Sequence, residues 1–135
     1  MIKFKDIRVG DYLMADNDGD IMQGEVVDLN GDEKQVCVDT GTQEFWFETN
    51  QLRPIPLNED QLARFKFRKE EHADGSVKYL KGAFRILVPS RGDFSKMDIW
   101  YRDELRHIMQ PISVHQLQNH FYEMTKVPLN EENFN

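Results

Sequence analysis

The sequence predicts an α+β protein in which an N-terminal SH3-like small β-barrel is packed on an antiparallel sheet that carries a C-terminal amphipathic helix. Residues 1–56 contain four or five short strand-like stretches separated by turn residues, which is typical of a small barrel. Apolar residues recur at helical spacing after residue 113, and a proline-led helix-start pattern occurs at residues 56, 111 and 128. We therefore assign residues 1–56 to an acidic SH3-like barrel and residues 57–135 to a second α+β unit.

The first unit is predicted to consist of strands joined by tight turns. A polar turn at residues 16–20 and an Asn30-Gly31 turn, whose residues both tolerate positive φ, separate the first three strands. A further turn near Gly41 leads into an aromatic strand. The predicted strands lie at residues 12–15, 21–29, 36–38 and 44–48.

The second unit is predicted to begin with a short helix at residues 57–65, whose acidic first turn suits the helix dipole. A hairpin around Asp74-Gly75 then joins two strands. Residues 102–109 fit either a further strand or a single helical turn. The remaining predicted strands lie at residues 67–71, 77–80, 83–88 and 97–101.

The clearest predicted element is an amphipathic helix at residues 113–126. Its apolar face is expected to pack on the second sheet, because four large side chains recur three or four residues apart. They are Val114, Leu117, Phe121 and Met124. A polar stripe beside this face would either contact a partner or form hydrogen bonds within the protein. It consists of His115, Gln118, Asn119 and Tyr122.

Composition excludes several classes of protein. Of the 135 residues, 39% are hydrophobic and 30% are charged, as in a soluble globular protein. No apolar run approaches the ~20 residues that span a bilayer, and no apolar stretch follows the first charges, so neither a membrane anchor nor a signal peptide is predicted. Cys37 is the only cysteine, which rules out an internal disulfide and indicates a reducing, cytoplasmic location.

The net charge of −7 belongs to the first unit. Residues 1–56 hold 5 Lys and Arg against 12 Asp and Glu, whereas residues 57–135 hold 12 of each. Such an acidic surface repels phosphate backbones and anionic membranes and attracts basic partners. Negative charge is also common because it aids solubility.

Trp46 marks the candidate partner-binding surface of the first unit. Strand alternation sends Phe45 and Phe47 to one side and Trp46 to the other. If the two phenylalanines fill the interior, Trp46 lies outside between Glu44 and Glu48. There it is either open to a partner or covered by the second unit. Exposed tryptophan is a common anchor of protein interfaces.

Two segments resemble a family of small uncharacterised proteins encoded in Bacteroidetes genomes, often in prophage or mobile-element neighbourhoods. They are the Ile55-Pro56-Leu57 junction and the helix start His115-Gln116-Leu117-Gln118-Asn119. The resemblance implies the two-part layout and a cytoplasmic, mobile-element setting. It implies no activity and no catalytic residues.

The acidic turn at residues 16–20 is the candidate metal site. Aligned to a calcium-binding EF-hand loop, Asp16 and Asp18 fall at positions three and five, and Glu25 falls at position twelve. Met14 at position one cannot ligate calcium, and the flanks are strands rather than helices, so the motif lacks its structural context. We predict no cofactor. The ligand set of the metal alternative is Asp16, Asp18, Asp20 and Glu25.

Histidine spacing adds no second metal site. Glu104 and His107 have the Glu-x-x-His spacing once, whereas di-iron bundles need it twice. His115 and His120 lie five residues apart, which is about 140° around a helix, and a shared metal needs residues i and i+4. We expect all of these histidines to be hydrogen-bonded or solvated.

Residues 64–69 interleave aromatic and basic side chains, a pattern that can stack on bases and neutralise phosphates. Phe65 and Phe67 also suit the core, and Glu70 and Glu71 follow in an acidic protein. Dedicated nucleic-acid binding is therefore not predicted. The candidate contact residues are Arg64, Lys66, Arg68 and Lys69.

No catalytic constellation is found. The serines lie in turn, loop or cap contexts without a Gly-x-Ser-x-Gly elbow, and Cys37 alternates with apolar strand residues. We therefore predict a non-catalytic protein-binding or accessory module of a phage or mobile element, with an unidentified protein partner. The alternative is a metal-dependent enzyme or a metal-regulated module using the turn at residues 16–20. A third hypothesis is weak nucleic-acid binding through residues 64–69.

Overall fold

The computed structural model describes residues 2–131. Its described residues form two five-stranded antiparallel sheets and two α-helices, so the predicted α+β class is confirmed. The chain divides into two compact units, Met1–Ile55 and Pro56–Asn135. No helix among the described residues has the length and apolar character needed to cross a membrane. The third helix-start pattern runs into residues 132–135, outside the described residues.

The first unit is a five-stranded antiparallel sheet with the order β4-β3-β2-β1-β5. Since β4 and β5 are its two edges and no described pairing joins them, the pairings do not close the sheet. The SH3-like barrel is therefore not confirmed. The strands are β1 (Tyr12–Asn17), β2 (Asp20–Asn30), β3 (Gln35–Asp39), β4 (Glu44–Glu48) and β5 (Leu52–Arg53).

The first two hairpin turns of the first sheet differ in kind. Asp18 and Gly19 both have positive φ, of 51° and 95°, and close the predicted turn between β1 and β2. The hairpin predicted at Asn30-Gly31 is confirmed, but neither of these two residues has the expected positive φ. The loop between β2 and β3 contains four residues, and positive φ occurs at Lys34. The Asn30 side chain accepts the backbone N–H groups of Asp32 and Glu33.

Side chains from one face of the first sheet form its hydrophobic core. Phe47 is buried there, and Phe45 packs against the same cluster with its ring centroid 6.1 Å from that of Phe47. Each buried large side chain contributes on the order of 1.5–3 kcal/mol. The fully buried members are Leu13, Ala15, Val26, Val36 and Val38.

The second unit is an antiparallel meander with the order β10-β9-β8-β7-β6 and a helix at each end of its sequence. Residues 102–109, which fitted either a strand or a helical turn, contain the edge strand β10. The elements are α1 (Glu59–Arg64), β6 (Arg68–Glu71), β7 (Val77–Lys81), β8 (Phe84–Val88), β9 (Met97–Tyr101), β10 (Glu104–Ile108) and α2 (Val114–Thr125).

The helix α2 begins at a capping box and packs on the sheet of the second unit through its apolar face. The backbone N–H of Ser113 donates to Oε1 of Gln116 over 2.8 Å, which satisfies a donor at the helix start. Phe121 meets Phe84 of β8 edge to face, with ring centroids 4.7 Å apart. The predicted apolar face is thus the buried face; its members are Val114, Leu117, Phe121 and Met124.

Tyr79 of β7 places a hydroxyl group in the core of the second unit. Its side chain is 2% exposed, and its hydroxyl has no hydrogen-bond partner among the described residues. An unpaired buried hydroxyl costs about 1–3 kcal/mol, so Tyr79→Phe should raise the free energy of unfolding by about 1 kcal/mol in a urea titration. Tyr101→Phe, a half-buried tyrosine on β9, is the control. A loss of stability in Tyr79→Phe would contradict the expectation.

Candidate functional site

Strand β4 places Trp46 on the outer side of the first sheet. Because alternate residues of a strand face opposite sides, Phe45 and Phe47 turn toward the core while Trp46 turns away. The Trp46 side chain is 48% exposed, and Glu44 and Glu48, two positions before and after it, are exposed on the same side. The indole is therefore open to solvent between two carboxylates.

The strand register adds further carboxylates to this side of the sheet. Asp39 pairs with Glu44, and Asp28 pairs with Cys37, the residue opposite Trp46. We call the surface formed by Asp28, Asp39, Glu44, Trp46 and Glu48 the Trp46 face. Among the described residues, none of its four carboxylates forms an ion pair with a lysine or arginine. Its negative charge is therefore not compensated within the described chain.

Cys37 lies close to the carboxylates of the Trp46 face, and their negative charge affects the pKa of its thiol. Its thiol is buried, and its Sγ lies 4.0 Å from Oε1 of Glu44. Burial raises the pKa of the thiol, and the negative charges of Glu44, Asp28 and Asp39 raise this pKa further. A protonated thiol is a poor nucleophile, so the local chemistry favours cation attraction over covalent catalysis.

The second tryptophan has a different environment. The guanidinium of Arg85 lies 4.8 Å from the ring centroid of Trp100, and the ammonium of Lys78 lies 5.7 Å from it. Both distances are within the range of cation–π attraction. Trp100 is half-buried and already has cations from its own chain, whereas no described cation lies over Trp46.

Two residues of the predicted polar stripe are not on the surface. His115 and Gln118 are each 5% exposed, so their assignment to a partner-binding surface is wrong. Nδ1 of His115 lies 2.9 Å from the Ser113 hydroxyl, and the Gln118 amide donates to the carbonyl of Leu129 over 2.9 Å. Both side chains stabilise the second unit internally, because buried polar groups need such partners.

The other two stripe residues remain accessible. Tyr122 is 45% exposed, and Asn119 is half-buried. Asn119 lines a cavity of about 460 Å³ between the end of β10 and α2. We call this cavity the β10–α2 groove. Its other lining residues include Ile108, Met109, Ile112, Gln116 and His120.

Arg106 of β10 connects that strand to α2. Its Nε donates to Glu104 over 2.8 Å, and one terminal nitrogen lies 2.8 Å from the same carboxylate oxygen. The other terminal nitrogen donates to Glu123 over 2.8 Å. The same terminal nitrogen lies 2.8 Å from Nδ1 of His120, which therefore accepts. Burial lowers the pKa of His120, and the positive charge of Arg106 lowers this pKa further. The cluster carries one cation and two carboxylates.

The sequence prediction did not identify the groove or Arg106. It considered residues 104–107 for their Glu-x-x-His spacing, which has meaning only on a helix. The signal that was present is strand alternation after a two-residue turn, with Tyr101 pairing with Glu104 and Asp98 pairing with His107. Nδ1 of His107 lies 2.7 Å from the Asp98 carboxylate, a contact between facing strands rather than along a helix.

The residues of the predicted metal site are not brought together. Asp16 accepts the backbone N–H of Gly19 over 2.8 Å and lies 3.6 Å from the guanidinium of Arg53. Glu25 pairs with Tyr12 at the other end of the hairpin, five positions from Asp20, which is about 16 Å along a strand. Within residues 2–131, no group of three or more His, Cys, Asp or Glu side chains could hold a metal ion.

The segment at residues 64–69 has a structural role in the second unit. Phe65 and Phe67 are buried, so their rings are not available to stack on bases. Three of its four basic side chains pair with carboxylates: Arg64 with Glu131 at 2.6 Å, Lys69 with Glu59 at 2.5 Å and Glu71 at 3.4 Å, and Arg68 with Glu70 at 4.0 Å. Lys66 has positive φ beside the end of α1.

Two exposed features thus offer binding chemistry, the Trp46 face in the first unit and the β10–α2 groove in the second. Neither holds a nucleophile, base and orienting group together in the arrangement that acyl-transfer catalysis requires. Comparison with protein-family models, with curated proteins and with solved structures gives no match.

Proposed function

We propose that this protein is a non-catalytic binding module whose Trp46 face recognises a basic segment of a partner protein. The observation that carries the proposal is an exposed tryptophan among four carboxylates that have no ion pair within the described chain. In the second unit, by comparison, Glu59 is paired with Lys69 and Glu123 with Arg106. A ligand that carries positive charges could form ion pairs with the four carboxylates of the Trp46 face.

Lysine or arginine fits this face for two reasons. A cation over an indole ring gains about 0.5–2 kcal/mol, depending on how far the pair is desolvated. Carboxylates around the ring increase the rate of encounter with a basic ligand and set its position, although each exposed ion pair adds only about 0–1 kcal/mol. The energy of binding is therefore expected to depend mainly on Trp46, and the salt dependence mainly on Glu44 and Glu48.

The layout of the first unit is part of this proposal. Strands β1 to β4 form a meander, and β5 pairs with β1 rather than with β4. Together with a bulge between Val26 and Asp28 of the long strand β2, this order supports an SH3-like arrangement, since a bulge bends a strand and increases its twist. Such a bend would bring the two sheet edges toward each other. The mobile-element setting implied by the family resemblance stays a prediction.

The proposal is tested with a labelled, unstructured peptide rich in lysine and arginine and with a matched peptide carrying glutamate instead. We expect the basic peptide alone to bind, and Trp46→Ala to weaken its affinity about tenfold by fluorescence anisotropy. Replacing Glu44 and Glu48 with glutamine should reduce the dependence of affinity on salt. Tyr122→Ala is the control, because Tyr122 is an aromatic residue of similar exposure in the second unit.

Two outcomes would contradict the proposal. Equal affinity of the wild-type protein and Trp46→Ala would show that the indole is not the anchor. Equal loss in Tyr122→Ala would show that binding follows general surface properties. A pull-down from nuclease-treated lysate then serves to identify the natural partner, which should be basic and should be lost on Trp46→Ala.

A further inference from the structure

We infer that the β10–α2 groove binds an extended segment of a partner protein as an added strand. The main chain of the segment would pair with β10, and alternate side chains would point into the groove, one of them apolar and one basic. This site lies wholly within the second unit and does not depend on the Trp46 face.

Strand β10 is an edge strand of the second sheet. The sheet order places β10 outermost, with only β9 beside it among the described strands. Tyr101 pairs with Glu104 across a two-residue turn, so this pair is hydrogen-bonded across the hairpin. Alternation then directs the backbone groups of Leu105 and His107 away from β9. An added strand would use these groups.

The β10–α2 groove lies beside that edge. A cavity of about 460 Å³ lies within the range of ligand sites, and helix α2 forms the wall opposite the strand. A sheet edge next to a groove is the geometry in which strand addition combines main-chain hydrogen bonds with pockets for alternate side chains. The groove provides an apolar surface from Ile108, Ile112 and Met109, the last of which is 75% exposed.

Charged side chains lie at the edge of the groove. Arg106 faces two carboxylates, Glu104 and Glu123, and its guanidinium also donates to the neutral imidazole of His120. Two carboxylates thus lie beside one guanidinium at the edge of the groove. A basic side chain two positions from the apolar one would lie on the same side of an added strand and would be attracted by these carboxylates.

The experiment selects short random peptides displayed on phage against the full chain and measures synthetic versions of the selected sequences by fluorescence anisotropy. We expect the selected sequences to carry an apolar and a basic residue two positions apart. Leu105→Pro removes an outward N–H at an edge strand, where proline is tolerated, and should weaken binding about tenfold. Asn119→Trp fills the groove from α2 and should weaken binding to a similar degree, which provides a second variant if Leu105→Pro does not fold.

The controls separate this site from the Trp46 face. Tyr122→Ala changes an exposed residue of α2 that does not line the groove, and it should leave affinity within twofold. Trp46→Ala should also leave it within twofold. Slower amide exchange of Leu105 and His107 in the peptide complex would support pairing at the β10 edge. The inference is overturned if no peptide is enriched, if Asn119→Trp binds as well as wild type, or if Trp46→Ala alone abolishes binding.

Discussion

Replacing Gly24 with alanine is expected to lower the free energy of unfolding by about 2–4 kcal/mol. Gly24 lies in β2, where a Cβ would stand 2.5 Å from Cγ1 of Val38 and 2.6 Å from the backbone oxygen of Asp39. The oxygen belongs to the main chain of the paired strand β3, so it cannot move aside without disturbing the sheet. The gain of up to about 1 kcal/mol in backbone entropy that alanine brings offsets only part of this clash.

Chemical denaturation of Gly24→Ala beside Gly31→Ala measures this effect. Gly31 follows β2 directly, has no heavy atom within 4 Å of a built Cβ, and has no positive φ, so alanine there should change stability by less than about 1 kcal/mol. A similarly small loss of stability in Gly24→Ala would contradict the expectation, because it would mean that β2 and β3 separate easily where Gly24 approaches Val38 and Asp39.

Much of the fold could be predicted from the sequence because local signals coincide with the tertiary structure. The apolar spacing of Val114, Leu117 and Phe121 predicts both the extent of α2 and its buried face, and strand β9 has the predicted bounds. Barrel closure could not be predicted, because it depends on how far the edges β4 and β5 approach each other. The hairpin at Asn30-Gly31 was predicted, but its positive φ falls at Lys34, because the Asn30 side chain stabilises a four-residue loop.

The candidate sites could be predicted only where one strand contains them. Trp46 and its flanking glutamates share a face by alternation, so the sequence alone places them together. His115 and Gln118 were misassigned because a polar residue on the flank of an apolar face can turn inward when a partner is available. The carbonyl of Leu129, which bonds Gln118, comes from a segment without regular structure. The β10–α2 groove combines a sheet edge with a helix wall, and no local pattern specifies that combination.

Asp11 provides the second large expected effect, a fall in stability between pH 4 and pH 6 that an asparagine variant should lack. Its side chain is 3% exposed and accepts the backbone N–H of Arg8 over 2.9 Å, while its own carbonyl accepts the N–H of Val26 over 2.8 Å. Burial raises the pKa of this carboxyl to about 6, and the hydrogen bond and positive charge of Arg8 lower it only in part.

The direction of the pH effect follows from where the proton is held. Below the unfolded pKa of 3.8, both states are protonated and the contribution of Asp11 is fully present. Between 3.8 and about 6 the unfolded state releases the proton while the folded state keeps it, so the free energy of unfolding falls as the pH rises. A difference of about 2 pKa units corresponds to a loss of about 3 kcal/mol, complete just above pH 6.

Urea titrations of the wild-type protein and Asp11→Asn at several pH values between 3.5 and 7.5 would measure this loss. Asparagine keeps an oxygen for the N–H of Arg8 and does not ionise, so the difference between the two proteins should change by about 3 kcal/mol across this range, in favour of the variant at neutral pH. Asp32→Asn removes the same charge from an exposed site of the first unit and is the control for net charge. A parallel pH dependence of wild type and Asp11→Asn would contradict a buried, protonated Asp11. An effect of equal size in Asp32→Asn would instead assign the loss to repulsion across the acidic first unit.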